Sequence, residues 1–328
     1  MNAVSRQTVL ANTLDQPLPE LSFVIPAHNE QGCIGQTVSQ VCAFSKKLGQ
    51  TIEIIVVDDG STDATCDEAQ RSCEGQPAII LRLSRNFGKE QAIMAGLNRS
   101  TGRAVVVLDA DLQEPLHYLK DMLVHRAEGY EMIYAVRAKR LDESWLKRVG
   151  THVFYKLLNF GTEMPIPQDA RDFRLMDRRV VDALCALPER NRFMKGLYGW
   201  VGFRSVAVPI EIAPRHSGCS KFGFKRLTKL ALTGLTAFTE WPLRVWTGIG
   251  MIVAVSSLLF GFWIVLRTLL FGIDVPGWST LVVAVSLLGG VQLISIGVLG
   301  EYLARVFSEV KGRPGYIVAE EHVIRGDR

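Results

Sequence analysis

"VVVLDADLQEP", residues 105–115, runs an aliphatic strand straight into three acidic side chains, Asp109, Asp111 and Glu114. Carboxylates gathered this closely repel one another and resist losing water, so they need a cation, a donor-rich ligand or open solvent. The stretch therefore predicts a core strand that ends on a polar rim. Outward from it, "LSFVIP" (21–26), "IEIIVVDD" (52–59), "AIILRLS" (78–84), "AVVVLDAD" (104–111) and "EMIYAVR" (131–137) read as strands. Helical patterns lie between them: "GCIGQTVSQVCAFSKKLG", "ATCDEAQRSC", "KEQAIMAGLNRS" and "LHYLKDMLVHRAEG". Strands that are apolar almost throughout are buried on both faces, which predicts a mostly parallel, Rossmann-like α/β sheet.

In such sheets the ligand sits beyond the carboxyl ends of the strands. The polar clusters fall there: "PAHNE" after the first strand, "DDGSTD" after the second, "DADLQE" after the fourth. A dinucleotide site needs GxGxxG between the first strand and its helix, and "PAHNEQGCIG" lacks it. No GxxxxGK[ST] phosphate loop is present either. A nucleotide-sugar fits the set: its base and ribose suit acceptors such as Asp58 or Asp59, and its diphosphate tolerates carboxylates only with a divalent cation between. Hard oxygen donors suit Mg²⁺ or Mn²⁺, which would also neutralise the departing nucleotide.

The chain is 48% hydrophobic with a mean hydropathy of +0.16, high for a purely soluble protein of 328 residues. The excess is concentrated, because Val245–Leu266 and Val275–Gly300 carry no charge. About 20 apolar residues span a bilayer as a helix, so residues 244–304 are expected to form two transmembrane helices joined at "RTLLFGID". Lys225, Arg226, Lys229 and Arg244 precede the pair, and Arg305, Lys311 and Arg313 follow it. The positive-inside rule places both chain ends in the cytoplasm. Residues 1–20 form a polar tail with no apolar h-region, so no signal peptide is expected. In residues 219–243, Lys221, Lys225 and Lys229 share one helical face and Phe224, Leu227, Ala231, Leu235 and Phe238 another, the pattern of helices lying on a membrane. The net charge of +4 comes with no nucleic-acid module, so the basic residues point to anionic lipid. Six cysteines without a CxxC pair fit a reducing compartment, and His117, His125 and His152 have no metal spacing.

The ordered set "VIPAHNE", "VVDDGSTD", "RNFGKEQAIMAGL" and "LDADLQEP" resembles the family 2 glycosyltransferases of GT-A fold. Further on, "RDFRLMDRRVVDAL", "ERNRFMKGLYGWVGF" and "RHSGCSKFGFKRL" resemble the polyprenyl-phosphate group, dolichol-phosphate-mannose-synthase-like and nearest the bacterial bactoprenol glucosyltransferases. The resemblance covers roughly residues 20–315. It implies a catalytic domain over 21–218, a cytoplasmic tail over 305–328, and an inverting hexosyltransferase in the bacterial inner membrane. UDP-glucose is the implied donor and undecaprenyl phosphate the implied acceptor. Pro26, Glu30, Val57 and Asp59 are expected to hold the nucleotide, with Asp109 and Ala110 against ribose and diphosphate. Asp109, Asp111 and Gln113 are the expected ligands of Mg²⁺ or Mn²⁺. Arg137, Arg215 and Lys221 are expected at the diphosphate or the acceptor phosphate. His28 stands where many relatives carry an aromatic residue, and Arg171 where the usual pattern has glycine.

A phosphate monoester has a second pKa near ~6 and is already a nucleophilic dianion at neutral pH, so a strong general base is optional. The expected catalytic side chains are Asp111, Arg137 and Asp172, the last either orienting substrate or acting as base. A salt bridge from Asp172 to Arg174 or Arg178 is the structural alternative. Other donors (GDP-mannose, UDP-galactose or an amino sugar), a processive polysaccharide synthase and a silent nucleotide-sugar binder are the competing readings. A homo-oligomer is left open.

Overall fold

The computed structural model describes residues 18–111, 113–138, 170–190, 192–211, 241–271 and 277–325. Arg215, Lys221 and nearly all of the expected interfacial segment (219–240) lie outside the described residues. The chain divides into two units, residues 1–155, 164–223 and 313–328 forming one and 156–163 with 224–312 the other.

The first unit is built on β1 (Leu21–Ala27), β2 (Ile52–Asp58), β3 (Ala78–Leu83), β4 (Ala104–Val107) and β5 (Met132–Arg137). Every residue of β1 and β2 is buried, as their unbroken aliphatic runs require. Helices α1 (Ile34–Leu48), α2 (Thr65–Ser72), α3 (Lys89–Arg99) and α4 (Leu119–Ala127) connect them, α4 being entered through a 3₁₀ turn at Leu116–Tyr118. In α1, Ile34, Val38 and Val41 bury one face, and Gly49, left-handed at φ +65°, ends the helix by donating to Ser45 O. α3 lies so close on β1 that a Cβ at Gly96 would come within 2.3 Å of Val24 Cγ1.

Three further strands complete the sheet: β6 (Ala170–Asp177), β7 (Ser205–Ile210) and β8 (Val318–Ile324), with helices α5 (Arg178–Ala186) and α6 (Met194–Trp200) between β6 and β7. Among the described residues the order is β7-β5-β6-β4-β1-β2-β3-β8. β4, β1, β2 and β3 run parallel, as do β5 and β7, while β6 and β8 are antiparallel. The chain moves from β1 outward through β2 and β3, then returns to place β4 on the other side of β1. That reversal is a topological switch point, the place where open α/β sheets bind their ligands. Strand β6 then matters for the site. Its register pairs Val107 with Arg174, so two further residues on each chain bring Asp109 level with Asp172.

Strand β8 lies within the expected tail at 305–328. The chain re-enters the sheet of the first unit there, pairing Ala78–Leu83 with Ile324–Val318. Arg99 Nε lies 2.8 Å from Glu321 Oε1, and Ser84 N donates to Ile317 O at 3.0 Å. Without β8, the apolar run "AIILRL" of β3 becomes an open sheet edge. Removing residues 316–328 is expected to lower the melting temperature by roughly 5 °C or more and to promote aggregation. Unchanged melting of the truncated chain would show that β8 contributes nothing.

The second unit contains α7 (Trp241–Phe271), which covers the first uncharged run, and α8 (Trp278–Val310), which covers the second from Trp278 onward. At 1.5 Å per residue both exceed the ~30 Å of a hydrocarbon core. Met251, Leu259, Phe262, Leu269 and Phe271 on α7, and Leu281, Leu293 and Phe307 on α8, are exposed. Among the described residues one stretch, Leu287–Val310, is long and apolar enough to cross a membrane.

Candidate active site

The rim at the carboxyl ends of β1, β2 and β4 is stitched together by its own side chains. Pro26 and Val57 are register partners within β1 and β2, one residue below the rim. Asp59 follows β2, and its two carboxylate oxygens accept from Phe87 N (2.7 Å) and Gly88 N (2.9 Å). Burial raises the Asp59 carboxyl above its usual range, with those two N–H groups opposing the shift. Asp59 thus pins the loop between β3 and α3. Gly60 makes the approach feasible: its φ is +64°, and a Cβ there would lie 2.4 Å from the Arg85 carbonyl carbon. His28 joins the same knot, its Nδ1 2.9 Å from Asp59 O, and Glu30 N donates to Thr65 Oγ1.

Past β4, Ala110 is buried and its carbonyl accepts from Thr37 Oγ1 of α1 at 3.0 Å. Asp109 points at Lys89, whose ammonium lies 2.6 Å from Asp109 Oδ1 and 2.5 Å from Asp172 Oδ2. One lysine therefore bridges the two carboxylates that the β4–β6 register sets level. Asp172 is paired with Lys89 rather than with Arg174 or Arg178. Burial works to raise the Asp172 carboxyl, but Lys89 and then Lys195 outweigh it and bring it to about 2. For Asp109 burial wins over Lys89, and its pKa is raised. The pair of acids in turn raises Lys89, against the effect of its burial.

The expected metal ligands fall on this loop. Gln113 N donates to Asp111 Oδ1 at 3.2 Å, closing a tight turn beside Asp109. Gln113 Oε1 accepts from Arg171 Nη2 at 3.2 Å, and Arg171 Nε lies 3.3 Å from Glu114 Oε1. Burial, then the Asp109 charge, pushes Glu114 up to about 8. Arg137 closes β5 and is exposed.

Among the described residues no group of three or more His, Cys, Asp or Glu side chains is arranged to hold a metal. Two carboxylates and an amide oxygen still suit Mg²⁺ or Mn²⁺, hard cations that typically take one or two protein carboxylates and fill the remaining positions with substrate phosphate and water. Asp109 already pairs with Lys89, and Gln113 Oε1 already accepts from Arg171, so a cation at this turn would share both with those side chains.

Sequence reasoning missed several charged groups. Lys89 stood in a quoted motif without a role, yet it opens the helix that follows the loop after β3, behind Gly88 at φ +98°. Glu90, beside it, accepts from Met194 N, and burial pushes it up to about 7. Lys195 of α6 faces Asp172, its pKa lowered by burial. Arg174, named from the sequence as a salt-bridge partner of Asp172, is buried over the Tyr198 ring, 3.4 Å from its centroid, and donates to Arg171 O at 2.8 Å.

The acidic rim lies at the switch point of a mixed sheet and is backed by lysines and arginines. Residues 22–185 match the family described as "Glycosyl transferase family 2", and the chain belongs to that family. It is 44% identical to a glycosyltransferase of Synechocystis, sll0501, over 92% of this chain and 95% of that one. It is 42% identical to the SfII prophage-derived bactoprenol glucosyl transferase of Shigella flexneri, over 92% of this chain and 98% of the other. Among solved structures, glucosyl-3-phosphoglycerate synthase of Mycobacterium tuberculosis, in complex with Mn²⁺, UDP-glucose and phosphoglyceric acid, is 17% identical. The match covers 72% of this chain and 82% of that one, with a TM-score of 0.43.

Proposed function

We propose that this glycosyltransferase moves glucose from UDP-glucose to a polyprenyl phosphate, with inversion, at the cytoplasmic face of the bacterial inner membrane. The observation that carries the reading is the near full-length likeness to a bactoprenol glucosyl transferase in a chain that has an acidic GT-A rim and two long apolar helices. The exposed side chains of α7 and α8 form apolar surfaces too long to leave in water, which supports a pair of spans. Such spans keep the catalytic unit near an acceptor whose tail cannot leave the bilayer.

The residues divide the work. Pro26, Glu30, Val57 and Asp59 border the nucleotide, and Asp109 and Ala110 the ribose and diphosphate. Asp111 and Gln113 would hold the divalent cation, which would supply positive charge against the diphosphate. Asp172, held ionised by Lys89, is a poor proton acceptor at neutral pH, so its task is to orient sugar or acceptor. The acceptor dianion needs no base. Arg137 contacts donor diphosphate or acceptor phosphate, with Arg215 and Lys221 bracketing the lipid headgroup. Rate then comes from in-line alignment and charge stabilisation.

The test presents radiolabelled UDP-glucose, UDP-galactose and GDP-mannose separately, with undecaprenyl phosphate and Mg²⁺, to the purified full-length chain. Labelled lipid from UDP-glucose is the expected result. Label from another donor would correct the sugar. No labelled lipid with any donor would sink the reading and leave a silent nucleotide-sugar binder.

A further inference from the structure

Arg171 is held in an unusual way for a rim arginine. Along one edge its guanidinium meets Glu114, at 3.3 Å from Nε to Oε1, and Gln113, at 3.2 Å from Nη2 to Oε1. Glu114 is itself buried, with 1% of its side chain exposed, whereas Arg171 keeps 32% exposed. Its backbone is fixed as well, since its carbonyl accepts from the buried Arg174. Nη1 makes no hydrogen bond among the described residues. The side chain is thus held from behind by its approach to the Glu114 carboxyl group and by the Gln113 amide, with donors left over at the open side.

The neighbourhood indicates what those donors take. Gln113 closes its turn on Asp111, and Asp172 follows Arg171 in the chain. Lys89 has its charge committed to Asp109 and Asp172. A phosphorylated substrate entering this rim meets carboxylates from β4 and β6, and it needs cations that the protein has not already spent. A guanidinium oriented in advance presents planar N–H donors to phosphoryl oxygens without losing further side-chain freedom.

We propose that Arg171 is a phosphate ligand of this site, binding a phosphoryl oxygen of the donor diphosphate or of the acceptor phosphate monoester. This rests on the reading that the rim takes phosphorylated substrates.

Calorimetry on the full-length chain in detergent, with Mn²⁺, measures UDP and uridine side by side in wild type, Arg171→Met and Arg171→Lys. Initial rates with undecaprenyl phosphate supply the acceptor KM. If the donor diphosphate is the partner, Arg171→Met weakens UDP about tenfold, leaves uridine unchanged, and Arg171→Lys recovers part of the loss. If the acceptor phosphate is the partner, UDP binding stays at wild type while the acceptor KM rises by a similar factor at little-changed kcat. Either outcome supports the proposal. It is overturned if UDP and uridine weaken together, which marks a structural role, or if UDP affinity and acceptor KM both stay at wild type. Arg171→Lys keeps the charge beside Glu114, so it reports even if the methionine variant folds poorly: the proposal expects only partial function from it, and wild-type UDP affinity and acceptor KM in that variant overturn it. Wild type that binds no UDP at all would instead bring down the reading of a UDP-sugar as donor.

Discussion

Asparagine in place of Asp111 is expected to cut transfer by about a thousandfold while the protein folds, inserts into membranes and melts as wild type does. The substitution keeps the shape of the side chain. Gln113 N now donates to Asp111 Oδ1, and it can donate to the asparagine carbonyl in the same way, so the turn after β4 survives. What is lost is a negative oxygen. Asp109 cannot replace it, because its carboxylate is bound by the Lys89 ammonium at 2.6 Å. Gln113 offers one neutral oxygen that Arg171 already shares. A dication held by one carboxylate and substrate phosphate would therefore lose most of its protein-derived attraction. Charge on the departing nucleotide would go uncompensated at the moment it develops. The checks are initial rates against Mn²⁺ concentration, with a melting curve on the same preparation. Rates like wild type at limiting Mn²⁺ would remove Asp111 from the metal site.

The first five strands were legible in the sequence because burial on both faces demands unbroken aliphatic runs, and "LSFVIP" or "AIILRL" could hardly be anything else. Strand β6 was not read as a strand. "ARDFRLMD" carries Arg171, Asp172, Arg174 and Asp177, and it neither alternates nor runs apolar. Its core position depends on partners elsewhere, such as the Tyr198 ring beneath Arg174. Strand β8 was hidden similarly. "VAEEHVI" looks like a solvated tail until β3 offers an open edge and Arg82 and Arg99 meet Glu320 and Glu321. The acids of the site were visible because they end strands whose direction is fixed by the fold. Their counter-ions were not. Lys89 lies 20 residues from Asp109 and 83 from Asp172, and only the register of an unforeseen antiparallel strand brings the three together.

Replacing Lys89 with methionine is the change with the broadest expected consequence, since it strikes both stability and turnover. Asp109 and Asp172 would face each other across the β4–β6 register with no cation between them. Breaking a buried pair by removing one partner costs about 3–5 kcal/mol. Lys89 here is 42% exposed and its acids about a fifth exposed, so water recovers part of that, leaving about 2 kcal/mol. In a domain of this size that lowers melting by roughly 4–8 °C. The pH dependence has a definite sign. Asp172 is held at about 2 against an ordinary 3.8, so its contribution is complete above 3.8 and fades as pH falls toward 2. The stability gap between wild type and Lys89→Met should accordingly be widest near neutrality and narrow in acid. Transfer at neutral pH is expected to drop about a hundredfold, because repelling carboxylates will neither keep their positions nor both stay ionised. Lys89→Arg separates charge from shape: it should restore melting more fully than transfer, since a guanidinium can neutralise both acids but not at the spacing an ammonium allows. A Lys89→Met protein as stable at pH 7 as wild type would mean that the two carboxylates do not depend on this lysine, and the orienting role of Asp172 would lose its physical basis.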